Sequence, residues 1–151
     1  MPASANKFNT FVGDLASKVH DLVGTTPGSD IDQFKVYLSN AAPSATDDSV
    51  KADLAEITNE HGYTAPVSIT PSGASSNGTV TLTGSKITIT ANGGTVGPFR
   101  YVVLYNDTPT SPADPLVLWW DYGSSITLND GESFTIKFNS SDTTGTVLTI
   151  T

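Results

Sequence analysis

The chain contains no cysteine, which excludes disulfides, thiolate catalysis and cysteine-ligated zinc. Its fold must therefore be held by packing or by partners. Positive charge is scarce too: seven Lys plus Arg stand against fifteen Asp plus Glu, a formal net charge of −8. Nucleic-acid backbones are bound by clustered cations, and no such cluster occurs, so no nucleic-acid partner is expected. No apolar run approaches a membrane span, and Met1–Lys7 lacks the apolar core of a signal peptide. The expectation is synthesis in a cytoplasm and no membrane partner.

The residues that are present suit a β protein. Hydrophobic content is 37% and charged content 15%, with Ser, Thr, Gly and Asn filling the difference. The 151 residues fit one domain spanning 1–151 and suffice for a real core. Three parts are read within it: an N-terminal helical segment over 1–32, a strand plus a short helix over 33–66, and a β core over 67–151.

Phe8, Phe11, Val12, Leu15, Val19 and Leu22 recur at spacings of three and four. That spacing predicts a helix over 8–22, with Asn6 as its N-cap and Gly24 as its stop. Phe34–Ser39 alternates apolar and polar residues as a half-buried strand does. Asp47 and Asp48 then introduce a short helix over 50–57, where acidic residues favour the N-terminal dipole end. From Val67 onward only strands and turns are expected. They are 67–70, 79–83 and 86–90 with a tight hairpin turn at Gly84-Ser85, then 97–107, 116–123, 125–128, 133–138 and 146–150. Pro71–Gly78 reads as a loop, and Pro109, Pro112 and Pro115 stiffen another.

The run Gly97–Asp107 is the longest uninterrupted stretch of β-branched, aromatic and aliphatic residues. It predicts a strand buried on both faces, forming a core hairpin with the strand that carries Trp119 and Trp120. Arg100 is its one charge, and Asp121 on the next strand is the expected partner. The fold class is mainly β: an antiparallel β-sandwich or jelly-roll-like barrel of eight or nine short strands, with an N-terminal helix and a second short helix.

Chemistry is thin. His20 and His61 are the only histidines, and no Gly-x-Ser-x-Gly elbow surrounds any serine. Both read as structural or surface residues, and no catalytic group and no cofactor is expected. Asn129–Glu132 and Ser141–Gly145 offer oxygen atoms but lack the alternating carboxylates of a calcium loop, so no metal is expected. Trp119, Trp120 and Tyr122 lie on one strand, where neighbours face opposite ways, so one Trp is expected in the core and the other at the surface or an interface. A sugar-stacking platform is the competing use of an outward Trp.

Three groups of residues, read together, resemble small structural proteins encoded among the head and tail genes of tailed bacteriophages. They are Lys7–Phe11 with Lys18–Leu22, Phe34–Asn40 running into Ala42-Pro43, and Gly97–Asp107 with Trp119–Gly123. The resemblance implies a virion component made in the host bacterial cytoplasm, most like a capsid decoration (cement) protein. Such a protein clamps subunits of the major capsid protein and is a homo-oligomer, for preference a trimer. Its implied interface residues here are Lys7, Phe8, Phe11, Trp119, Trp120 and Tyr122. Two alternatives stand beside it: a tail or fibre component touching host glycans through the Trp strand or the Pro109–Pro115 loop, and, more remotely, a small hydrolase.

Overall fold

A computed structural model describes residues 3–25, 30–139 and 143–151. In chain order the elements are β1 (Ala5–Lys7), α1 (Thr10–Ala16), β2 (Phe34–Ser39), a single 3-10 turn at Lys51–Asp53, β3 (Val67–Ser68), β4 (Ser72–Ser76), β5 (Thr79–Ser85), β6 (Ile87–Thr90), β7 (Val96–Asn106), β8 (Leu116–Leu128), β9 (Ser133–Ile136) and β10 (Thr144–Ile150). The protein is mainly β, with antiparallel pairing throughout, as its alternating strands and polar turns lead one to expect.

The first layer is a five-stranded sheet of order β1-β8-β7-β2-β3. β7 is its central strand. It pairs with β2 over Phe34–Ser39 and with the long β8 on its other side, the hairpin its sequence predicts. The lack of hydrophobic alternation in β7 has a simple cause: both faces of this sheet are covered. Val102 and Leu104 enter a core shared with the second layer, while Tyr101, Val103 and Tyr105 enter a separate core on the opposite face. That second core is closed by Phe8, Tyr37, Leu54 and Leu116, with Ala65 and Trp119 against them.

The second layer comes from two broken strands. β5 and β6 follow each other with only Lys86 between them, β5 pairing with β4 and β10 and β6 pairing with β9. The Lys86 amide donates to the Thr143 carbonyl at 2.7 Å, so the pairing continues across the join. Gly84-Ser85 is therefore no hairpin turn; the chain runs straight through it, against the local turn signal. A close approach fixes the glycine that restarts the partner strand: a Cβ at Gly145 would stand 1.3 Å from the Phe138 carbonyl oxygen. Leu82, Ile87, Ile89, Ile136 and Val147 face the first layer, and the result is a β-sandwich.

Other expectations are corrected too. The helix over 8–22 shrinks to Thr10–Ala16 and stops where Lys18 takes a positive φ of 63°. Its apolar stripe serves two cores instead of one helix face, with Phe8 in the second core and Phe11 and Leu22 in the first. Asn6, the expected cap, belongs to β1 and pairs opposite Trp119. The helix over 50–57 reduces to the 3-10 turn, where Asp53 accepts the Ser49 and Val50 amides at 2.9 and 3.1 Å. Pro71–Gly78 contains edge strand β4, and residues 116–128 form one strand, which brings the described strands to ten. The stretch Ser141–Gly145 lies partly outside the described residues.

Candidate functional site

Among the described residues neither histidine hydrogen-bonds to a serine or threonine hydroxyl. His20 is buried between the rings of Phe11 and Phe34. Its Nδ1 lies 3.0 Å from Asn106 Nδ2, which also donates to Asp32 Oδ2 at 2.7 Å. A carboxylate only accepts, so the Asn106 amide nitrogen faces it, and the Thr108 amide donates to Asn106 Oδ1 at 3.1 Å on the other side. His20 Nδ1 is thus the acceptor, and its proton sits on Nε2, which is buried and has no hydrogen-bond partner among the described residues. Burial holds the imidazole below its ordinary pKa, against the pull of Asp14 and Asp32. His61 is exposed, with Nδ1 3.0 Å from the Thr95 carbonyl oxygen and 3.9 Å from Glu60. Among the described residues no cluster of His, Asp or Glu is arranged to hold a metal, and no helix is long and apolar enough to cross a membrane.

The feature that stands out is the open side of the sandwich, where β1 and β8 of one sheet face β9 and β10 of the other. Trp119 and Trp120 fall on opposite faces of β8, as strand geometry requires, and both are half-buried. Trp119 lies against Phe8 with ring centroids 4.6 Å apart, in the second core. Trp120 turns to the inner face and meets Phe138 at 5.7 Å. Two residues on, Tyr122 is 55% exposed and meets Phe134 edge-on at 5.8 Å. Together with Val102, Ile136 and Val147 these rings line a groove of about 600 Å³.

A second groove of about 420 Å³ lies along the same side, between α1 and the end of β10. Phe11, Val12, Leu15, Leu118, Leu148 and Ile150 line it. Val12 and Tyr122 are the large hydrophobic side chains exposed on the described surface, and each belongs to one of these grooves.

Of the six candidate interface residues, Trp120 and Tyr122 line the first groove and Lys7 the second. Trp119, paired beside Asn6 of β1, packs its ring against Phe8 in the second core. Phe8 and Phe11 are core residues at 0% and 5% exposure; Phe8 presents no contact surface, while Phe11 lines the second groove. Phe134, Phe138 and Leu148 complete the grooves. Only the meeting of the two sheets brings them beside Trp120 and Phe11.

No family model matches this chain, and neither does any curated protein or solved structure.

Proposed function

We propose that the protein is a structural component of a bacteriophage virion, a capsid decoration protein that clamps neighbouring subunits of the major capsid protein. One observation carries the docking part of this reading: the sandwich leaves an aromatic groove open, with Tyr122 more than half exposed above Phe134. Exposed apolar surface framed by polar residues marks interaction sites, and aromatic residues are enriched there. The likeness of three parts of the chain to phage head and tail proteins supports the virion as the setting. The acidic, cysteine-free composition is compatible with it. In this reading the open side seats on the shell, and several copies, for preference three, associate around one site.

The test is protein mass spectrometry and cryo-EM of purified particles. Many copies spread over the shell support the reading. Absence from the capsid surface contradicts it.

A second reading is favoured by the same rings. Trp120 and Tyr122 could stack on sugars, which would suit a tail or fibre part that contacts host glycans. Glycan-array binding that is lost in Tyr122→Ala, with only a few copies at the tail, would decide for it.

A further inference from the structure

We infer that Asn77-Gly78 is a spontaneous modification site, where the turn deamidates through a cyclic imide to aspartate and isoaspartate. The reaction needs a side-chain amide and a following backbone nitrogen that is free to attack it. Glycine in the second position puts no side chain in the way. The chain contains two Asn-Gly pairs, Asn77-Gly78 and Asn92-Gly93, and the fold treats them differently. Asn77 and Gly78 alone join β4 to β5, with Ser76 paired to Thr79. Both take positive φ, 50° and 78°, as a tight two-residue hairpin turn requires. Both are exposed. Among the described residues neither the Asn77 carboxamide nor the Gly78 amide has a hydrogen-bond partner.

Asn92-Gly93 is exposed too, but its backbone is held at successive amides. Ala91 donates to the Glu132 carbonyl at 2.9 Å and Asn92 to the His61 carbonyl at 2.8 Å. Gly93, whose nitrogen would have to attack, donates to Asp130 Oδ1 at 2.7 Å. A bond to a carboxylate is of the stronger kind, and it must break before that nitrogen can react. The free turn therefore reacts first.

Water is the one co-reactant, and no electron changes hands. The Gly78 nitrogen gives its proton to hydroxide and attacks Asn77 Cγ, closing a five-membered ring. The bond from Cγ to the side-chain nitrogen breaks, and that nitrogen leaves as ammonia. Water then opens the ring: at Cγ it yields aspartate, at the backbone carbonyl isoaspartate. Either product adds a negative charge. β4, β5 and β10 contain no charged residue, so this charge is the first on their sheet. Isoaspartate also lengthens the turn by one methylene, which spoils the pairing of Ser76 with Thr79 and loosens edge strand β4.

Peptide mapping by mass spectrometry tests this on the whole folded chain, incubated at mildly alkaline pH. Asn77 is expected to convert first and to outpace Asn92 by about tenfold, the effect of one charge-assisted hydrogen bond. Asn77→Gly keeps the turn and is expected to remove the fast conversion. Asp130→Ala frees the Gly93 amide and is expected to narrow the lag of Asn92. In urea, where both turns are lost, the two sites are expected to convert at similar rates. The separated isoaspartate form is expected to show faster amide exchange over Ser72–Ser76 by NMR. Asn92 converting as fast as Asn77 in the folded chain, or Asn77 converting only in urea, would overturn the inference. So would a lag that persists in urea or is untouched by Asp130→Ala, and unchanged exchange in β4 would overturn the loosening. None of these outcomes depends on what the open side of the sandwich binds.

Discussion

The Arg100 guanidinium grips the Asp121 carboxylate with two parallel hydrogen bonds, Nε to Oδ1 at 2.7 Å and Nη2 to Oδ2 at 2.8 Å. These join the two strands of the core hairpin. The Arg100 hydrogen bond, with the Gly123 amide, holds the Asp121 carboxyl below its ordinary pKa. Both side chains are more than a third exposed, so solvent screens the pair. A carboxyl lowered in the folded state adds stability above its unfolded pKa, and that stability is lost as pH falls through the folded value. Asp121→Asn is thus expected to lower the urea midpoint slightly at neutral pH. The gap to the parent chain should close in strong acid, which urea titrations across pH would show.

Phe8 and Tyr122 were both candidate contact residues, and their burial separates them. Phe8 is fully buried against Trp119. Phe8→Ala removes a core ring and is expected to cost about 3–5 kcal/mol of unfolding free energy. Tyr122→Ala is expected to cost under about 1 kcal/mol by the same urea titration while weakening partner binding.

β3 covers β2 only at Lys35 and Val36, and beyond it the Tyr63 hydroxyl takes the place of a strand neighbour. It accepts the buried Leu38 amide at 2.8 Å and donates to Glu56 at 3.2 Å. Tyr63→Phe keeps the ring and leaves that amide without its partner. The expected cost is roughly 1–3 kcal/mol, with faster exchange of the Leu38 amide by NMR.

His20 predicts a loss of stability in mild acid. Its folded pKa is depressed by burial below the ordinary 6.5. Below about that pH the unfolded chain binds the proton first, so stability falls as pH drops from 6.5 toward the folded value and then levels. Protonation would also place an N–H at Nδ1 against the Asn106 amide, which donates there. His20→Gln is expected to flatten the midpoint between neutral pH and pH about 5, apart from carboxylate titration. A slope unchanged by the substitution would count against this.

Much of the fold was legible where local pattern and burial agree. β2 spans the residues expected of it but is buried on both faces rather than half-buried, because Val36 and Leu38 enter one core and Tyr37 the other. β7 was readable because a short apolar run bounded by turn residues suits a doubly covered strand. The Arg100–Asp121 pair followed from a lone charge opposite a carboxylate on the neighbouring strand. Misreadings arose where tertiary context overrode local signal. Phe8, Phe11, Leu15 and Leu22 match a helical period, yet the chain spends them on two cores through a strand end, a short helix and a loop. Gly84-Ser85 carries turn residues, but β5 and β6 each find a different partner. β4 buries only Gly73 and so shows no apolar alternation. Trp120 and Tyr122 could be named from sequence, whereas the groove they share with Phe134 and Phe138 exists only once the two sheets meet.

Cryo-EM of purified particles tests the central proposal most directly. Density for this sandwich is expected at repeated positions over the outer shell, with the β1 and β10 side and Tyr122 turned toward the major capsid protein. Particles with bare shells, or with that side facing solvent, would contradict it.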